Sequence, residues 1–442
     1  MNKSIVVSSV LMLVFTLFAG TIDAAEPDTR DTAVEDPQKP QQQPPEQQPM
    51  NEKEMILELK DKVDQVVEAQ KKVLPSEFNP SIGLVGETIF SYRSKGSAET
   101  GSDRPGGVDV FQRAVEVNAA ASVDPFAKAY VVINATADAA TGESSLGVEE
   151  AALQTTALPG NLEVKAGRFF GEFGRLGYIH DHELPVVNRP LVLDQYIGGE
   201  SRTDGVQLNW LVPVEHYISV TLGAGMQFGG DNPPNFVGNF RHGSGVNYWG
   251  RVSTYFDVTP DISVEPGISG LWNPKTDAQW DPAVQGLPTV GGNTYTERER
   301  RLVGADLVLS WKPLRNNQFQ AVTWGTELLY SDNRYDVTDS LGAPLPSRTV
   351  GSQGLYSYVI YKWHRQWSGG VEYEWMEDIV NNHAKTSACS ALVTWALSHW
   401  NQLRLQYTYT GPNSASGLDP DHAVYLQWAW IIGSHAHGWQ QR

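Results

Sequence analysis

The densest group of side chains that could act on a solute lies in one segment, which runs from Arg168 to Arg202. The segment reads RFFGEFGRLGYIHDHELPVVNRPLVLDQYIGGESR and mixes glycines and apolar residues with charges of both signs. Rings of charged side chains at the narrow part of a channel select ions electrostatically. The candidate residues of such a constriction are Arg168, Glu172, Arg175, Asp181, Glu183, Arg189 and Arg202. We interpret residues 170–201 as a loop that folds into a pore.

An alternative interpretation of this segment is a structural loop whose charges pair with residues of the surrounding wall. Inward folding is favoured because Leu191, Val192 and Leu193 would need cover from water. The sequence leaves both interpretations open.

Two His-x-His pairs, His180 with His182 and His435 with His437, could supply metal ligands. Side chains two residues apart in an extended segment point to the same side. Imidazole and carboxylate groups suit Zn²⁺, which usually takes four ligands. Hydrogen-bonded or exposed histidines are the alternative, and the sequence does not show whether the two pairs meet. Zinc is therefore the one candidate cofactor, and a diffusion channel requires none.

Carboxylates at alternate positions mark candidate lumen-facing residues. Glu372 and Glu374 share one face of a strand, and paired carboxylates could perform acid–base catalysis. A water-filled pore needs no such role, and no Gly-x-Ser-x-Gly motif occurs, so we predict that the chain is not an enzyme. The candidate lumen-facing residues are Asp306, Glu327, Glu372, Glu374 and Arg404.

A period-two pattern from residue 79 to residue 442 must position these side chains. In one example, Val371, Tyr373 and Trp375 alternate with Glu372 and Glu374. The segments run about 10–14 residues, which is close to what a tilted strand needs to cross a bilayer. Sixteen candidate strands start near residues 81, 110, 126, 146, 161, 203, 216, 245, 261, 300, 318, 352, 367, 385, 400 and 422.

The connections between these strands alternate in length. Tight turns such as Asp124-Pro125 and Thr259-Pro260-Asp261 separate the long links. Long external loops opposite short turns, with an even strand number, are typical of outer-membrane barrels. The pattern predicts an all-β, antiparallel transmembrane β-barrel with an aqueous lumen. Long links are expected at residues 93–108, 139–145, 170–201, 229–244, 272–299, 332–350 and 411–421.

The N-terminal fifth of the chain divides into three predicted parts. Residues 1–24 indicate an export signal peptide, and residues 25–50 a Pro- and Gln-rich linker. Residues 51–74 carry apolar side chains at three-four spacing, which predicts a short periplasmic coiled coil that joins subunits. A helix docked on its own domain is the alternative. We expect a homotrimer, although the seam also permits a dimer.

Composition narrows the class of partner. The formal charge is −18, and no basic stripe is present, so nucleic acid is excluded as a partner. The single Cys389 cannot form an internal disulfide. Aromatic residues are abundant, which is typical of barrels with girdles at both lipid interfaces. Outer-membrane lipid is therefore the expected surroundings.

Several short motifs resemble a known group. They are Gly167-Arg168-Phe169-Phe170, Glu172-Phe173-Gly174-Arg175, His180-x-His182, Asn188-Arg189-Pro190, Asp204-Gly205-Val206-Gln207-Leu208 and Gly433-Ser434-His435-Ala436-His437. Over most of residues 52–442 the chain resembles an outer-membrane family often labelled TonB-dependent-receptor-like or zinc-regulated. It also resembles porins, whose third external loop folds into the lumen. No plug domain or TonB-interacting segment is evident.

The predicted function is therefore a porin-like channel for passive diffusion of small polar solutes or ions in the outer membrane. The first alternative is a zinc-linked outer-membrane receptor or uptake protein. The second is an outer-membrane barrel enzyme.

Overall fold

The fold comes from a computed structural model that describes residues 80–96, 106–137, 142–229, 236–237, 245–276, 279–280, 293–315, 319–398 and 400–433. Sixteen strands of nine or more residues form in these ranges, as the period-two pattern predicts. The first eight are β1 (Ser81–Arg93), β2 (Gly107–Asp124), β3 (Ala127–Ala137), β4 (Ser144–Thr155), β5 (Leu162–Phe170), β6 (Arg202–Leu211), β7 (Tyr217–Gly225) and β8 (Asn247–Thr259). The remaining eight are β9 (Ile262–Asn273), β10 (Thr294–Trp311), β11 (Ala321–Thr338), β12 (Pro344–Lys362), β13 (Trp367–Glu377), β14 (Lys385–Ser398), β15 (Asn401–Pro412) and β16 (Asp421–Gly433).

The sheet is antiparallel and closed. Each long strand pairs with its neighbours in sequence, and β16 returns to pair with β1, where Gly83 lies opposite Gly433. Closure leaves no sheet edge that would expose backbone groups to lipid. Two further strands of two residues each, Phe236–Val237 and Gln279–Trp280, pair with one another. The predicted fold class, an antiparallel barrel of sixteen strands, is confirmed.

Alternate side chains face opposite sides of the wall. On β13, Val371 and Tyr373 are 58% and 46% exposed, whereas Glu372 and Glu374 are 4% and 6% exposed. The same alternation runs along β6, where Val206 and Leu208 are exposed and Gln207 is buried. The wall therefore has an apolar outer face and a largely polar inner face, as a barrel in lipid requires.

One predicted connection is wrong. The sequence pattern predicts a long link at 332–350, but β11 continues to Thr338 and β12 begins at Pro344. The two strands stay paired because Tyr335, Val337 and Val350 turn inward and join an interior apolar cluster. The strands near 300 and 352 accordingly start earlier than predicted, at Thr294 and Pro344.

Several predictions lie outside the described residues. They are the signal peptide, the linker, the coiled coil at 51–74 and the pair His435 and His437. In the part of the chain that the structure describes, no helix is both long and apolar enough to cross a membrane.

The long link between β5 and β6 has regular structure of its own, and we name residues 171–201 the inner segment. It contains a 3₁₀ turn at Asp181–Glu183 and the helix α1 at Leu191–Ile197. The helix ends at Gly198, whose φ of 79° is left-handed and whose N–H donates to the carbonyl of Asp194. Glycine closes helices in this way because it has no Cβ to clash.

Candidate functional site

The inner segment contacts strands on all sides of the barrel interior. Its backbone or side chains bond to β2, β4, β6, β7, β9, β11, β13 and β15. Because these strands follow one another around a closed sheet, a segment that reaches all of them must extend across the lumen. The segment thus folds into the barrel, as its apolar residues suggested.

An apolar cluster holds the second half of the inner segment. Val192 and Leu193 of α1 are 1% and 0% exposed. They belong to a cluster that includes Leu329 on β11 and Tyr356 on β12. The apolar residues of this loop are therefore shielded from water inside the barrel, where they pack against inward-facing apolar side chains of the strands.

Polar side chains of the wall bond to the backbone of the inner segment. Nη1 of Arg404 donates to the carbonyls of Leu184 and Val186, at 2.8 and 3.0 Å. The N–H of Leu191 donates to Glu374 at 2.5 Å, and the N–H of Arg175 donates to Glu327 at 3.0 Å. Loop backbone has no sheet partner, so side chains must satisfy its buried groups. These side chains of the barrel wall therefore anchor the backbone of the inner segment.

Two of the candidate constriction residues pair with the wall. Arg175 donates to Glu265 on β9 at 2.9 Å, with 23% of its side chain exposed. Glu172 accepts a hydrogen bond from Thr221 on β7 at 2.7 Å. Both are partly exposed to the interior. These contacts fit the alternative in which the charges pair with the wall, and they also leave charge facing the lumen.

Three other candidates, Arg189, Asp181 and Glu183, form contacts within the segment or lie at its surface. Arg189 is buried and donates to Asp181 at 2.8 Å and to the carbonyls of Leu176 and Ile179. Arg189 therefore connects two parts of the inner segment to each other. Glu183 is exposed and borders an interior cavity.

Of the last two candidates, Arg168 lies away from the interior, which corrects the sequence interpretation for that residue. Arg168 lies opposite Ala151 and Asp204, on the same row as the exposed Val206. It forms a two-point ion pair with Asp204 at 2.7 and 2.9 Å on the outer face. Arg202, by contrast, begins β6 opposite the buried Phe170, and its positive charge acts on Glu200 of the inner segment. Residue type alone did not reveal which face these side chains occupy.

The five candidate lumen-facing residues are all buried on inward rows. Asp306 on β10 accepts two hydrogen bonds from Arg251 on β8, at 2.5 and 2.8 Å. Glu327 accepts from the hydroxyl of Tyr356 at 2.7 Å. Glu374 and Arg404 hold the inner segment, and Glu372 is 4% exposed. Their neighbours are charged or hydrogen-bonding groups, and no hydrolytic triad forms among them.

A cavity of about 470 Å³ lies beside the inner segment, towards the short turns. Its basic lining residues are Arg175, Lys362, Arg365 and Arg404, and its one acidic residue is Glu183. The excess of positive charge makes this end of the interior attractive to anions.

The first histidine pair lies in a buried group of carboxylates. Nε2 of His180 is 3.0 Å from Oε1 of Glu150, and Nδ1 of His182 is 3.1 Å from Oε1 of Glu116. Nδ1 of His180 also lies 3.7 Å from Oε1 of Glu149. Both imidazoles and these three carboxylates are nearly inaccessible to water.

A β-bulge brings two consecutive carboxylates into this group. Val132 on β3 pairs with Glu150, but Ile133 pairs with Val148, so Glu149 is an extra residue on β4. A bulge re-aims side chains, and here Glu149 and Glu150 are both buried. Strict alternation would have placed one of them outside. For that reason the period-two pattern did not reveal Glu149 and Glu150 together, and no local pattern connects Glu116 or Glu200 with them.

The carboxylates change how these loop groups titrate. Burial alone would lower the pKa of His180, but Glu149, Glu150 and Glu116 outweigh burial and hold that pKa well above its ordinary value. Burial and the nearby Asp181 carboxylate raise the pKa of Glu200 to about 7. The group therefore favours positive charge at its centre.

Comparison of the sequence with known proteins gives a partial match to a relative. No family model matches the chain. An uncharacterized protein of Aquifex aeolicus (strain VF5) is 30% identical over 266 residues, which are 57% of this chain and 51% of that protein. The chain therefore spans about half the length of this relative.

Three solved structures share the barrel. The outer membrane channel DcaP of Acinetobacter baumannii has a TM-score of 0.54 at 10% identity, covering 81% of this chain and 99% of that one. An anion-selective porin from Comamonas acidovorans has a TM-score of 0.51 at 10% identity, covering 80% and 99%. OprB of Pseudomonas putida has a TM-score of 0.51 at 10% identity, covering 80% and 94%. The porin-like part of the resemblance is thus confirmed for the fold, whereas the TonB-dependent-receptor label finds no support.

Proposed function

We propose that this chain forms a channel in the outer membrane through which small polar solutes or ions diffuse passively. The observation that carries the proposal is a closed barrel with an apolar outer face and a polar interior. Such a wall is stable in lipid and leaves hydrophilic groups facing the lumen. The DcaP channel and the anion-selective porin share this fold.

The inner segment is the constriction of the proposed channel. It is anchored to strands around the whole barrel, and it presents Glu172, Arg175, Asp181 and Glu183 as partly or fully exposed charges. Charges held by a rigid segment filter ions by sign and size. The basic cavity beside it adds a preference for anions at the end with the short turns.

Planar-bilayer recording tests the channel and the constriction together. Wild-type protein should produce unitary conductance steps, with a reversal potential in a salt gradient that reports the sign of the preferred ion. Removal of residues 176–196 should raise the unitary conductance while β5 and β6 stay paired, because the pairing of Leu162–Phe170 with Arg202–Leu211 does not use the segment. Absence of steps from folded wild-type protein would refute the channel, and an unchanged step after deletion would refute the constriction.

The proposed assembly is a homotrimer. The outer rows of β2, β3 and β4 carry small or aliphatic side chains, such as Val117, Ala129 and Ala151, and no aromatic residue. Exposed aromatics occur elsewhere on the wall, for example Trp210, Trp324 and Trp428. A gap in the aromatic girdle supports a face that meets another subunit instead of lipid.

Native mass spectrometry of the full chain should find trimers, and a chain without residues 51–74 should dissociate more readily. A monomer with residues 51–74 retained would contradict this assembly.

A further inference from the structure

We infer that the buried carboxylates around His180 form a site for one divalent transition-metal ion of the Zn²⁺ type. Its ligands are Nδ1 of His180 and the carboxylates of Glu116, Glu149 and Glu200. This inference goes beyond the channel function and does not depend on it.

The spacing of the ligand atoms fits a metal better than a set of hydrogen bonds. Nδ1 of His180 lies 3.8 Å from Oε2 of Glu116 and 3.7 Å from Oε1 of Glu149, and both distances exceed a hydrogen bond. Ligands about 2.1 Å from a tetrahedral zinc ion lie about 3.4 Å apart. Donor atoms of Glu149, His180 and Glu200 all lie within 4.8 Å of one another. His180 is common to this group and to a second group in which it lies close to Glu116 and His182, so it is the central ligand of the proposed site.

Two neighbouring residues orient the ligands. An ionised carboxylate only accepts hydrogen bonds, so Nε2 of His180 donates to Glu150, and Nδ1 is the nitrogen that would bind the ion after losing any proton it carries. In the same way, His182 bonds to Oε1 of Glu116 and leaves Oε2 directed at His180. At metal sites, a ligating histidine usually donates a hydrogen bond from its other ring N–H to a carboxylate.

The charge and burial of these carboxylates support the metal site independently of the distances between the ligand atoms. The side chain of Glu149 is 7% exposed, and its Oε2 accepts no hydrogen bond from any residue that the structure describes. Four carboxylates converge here, and the nearby guanidinium of Arg189 lies 3.6 Å from Glu200. Buried like charges are costly unless a cation offsets them. Imidazole with carboxylate suits Zn²⁺ and related ions.

The experiment uses untagged full-length protein in detergent, stripped with a chelator. Co²⁺ serves as the spectroscopic probe and Zn²⁺ as its competitor, with metal content measured by mass spectrometry. We expect one ion per protomer, displacement of Co²⁺ by Zn²⁺, and loss of this binding in His180→Ala. Glu149→Gln, which keeps the side-chain shape, should weaken binding, and Glu150→Gln should weaken it about 10- to 100-fold by releasing the ring. Heat-modifiable gel mobility establishes that each variant is folded.

Two controls make the result specific. His383→Ala changes an exposed histidine outside the site and should bind as wild type does. A chain with both His435→Ala and His437→Ala should also keep the ion. Binding that follows His435 and His437 and not His180 overturns the proposal. A stripped wild type that takes up no metal also overturns it, because a protonated His180 would then neutralise the carboxylates. Conductance is measured on the same samples, so that a failure of the metal site can be distinguished from a failure of the channel.

Discussion

Arg404→Met tests whether the wall holds the inner segment in the lumen. Nη1 of Arg404 donates to the carbonyls of Leu184 and Val186, both in buried residues. Methionine keeps much of the apolar stem but offers no donor, so two buried carbonyls would lose their partner. Each unsatisfied group costs about 1–3 kcal/mol. The docked segment should therefore be destabilised by about 2–6 kcal/mol.

A loss of about 3 kcal/mol would raise the fraction of undocked segment about 150-fold. Two assays report it: limited proteolysis within residues 176–190, and the frequency of large-conductance openings in single-channel records. Arg301→Met is the matched control, because the side chain of Arg301 is 55% exposed and pairs with Glu299 instead of the segment. If Arg404→Met kept wild-type protease resistance and wild-type openings while folded, the reasoning would be refuted.

Two further predictions address the cavity and the backbone of the segment. Lys362→Gln combined with Arg365→Gln removes two positive charges from the cavity lining, so the reversal potential should shift towards cations; an unchanged potential would place the conduction path elsewhere. Gly174→Ala should loosen the segment, because φ is +64° and the new Cβ would meet the Glu327 carboxylate. The left-handed backbone alone costs about 1–2 kcal/mol. Gly342→Ala, with φ +80° and open space around it, is the control that carries strain without the clash. Equal protease sensitivity of the two variants would argue against the Glu327 contact.

The barrel was predictable because alternation is a property of single strands. The starts predicted near 81, 161, 261, 367 and 385 fall within one residue of the observed starts. The alternation of long and short connections predicted the topology, because a short turn is enough to join antiparallel neighbours at one end. Inward folding of 170–201 could also be argued, because Leu191, Val192 and Leu193 are too apolar for a solvated loop.

The site was less predictable because it depends on which face each charge occupies. Glu149 and Glu150 are consecutive, so a period-two pattern assigns one of them to lipid, and only the bulge on β4 reverses that. Arg168 was grouped with the constriction by charge, yet register with Asp204 places it outside. The contacts of His180 with Glu116 and Glu150 join residues far apart in sequence, which no local pattern encodes.

The two halves of the inner segment differ in how far they depend on charged contacts, and this difference determines which half moves more easily. Residues 191–197 are fixed by apolar burial, since Val192, Leu193 and Ile197 are almost fully buried in the interior cluster. Residues 178–187 also contain buried apolar side chains, such as Leu184 and Val187, but polar contacts bind this stretch to the wall as well, among them His180 with Glu150. Apolar burial scales with area and is insensitive to ions, whereas charged contacts respond to protons and cations. Amide hydrogen exchange should therefore be faster in 178–187 than in 191–197. The opposite order would mean that α1, and not the histidine side, is the part that opens.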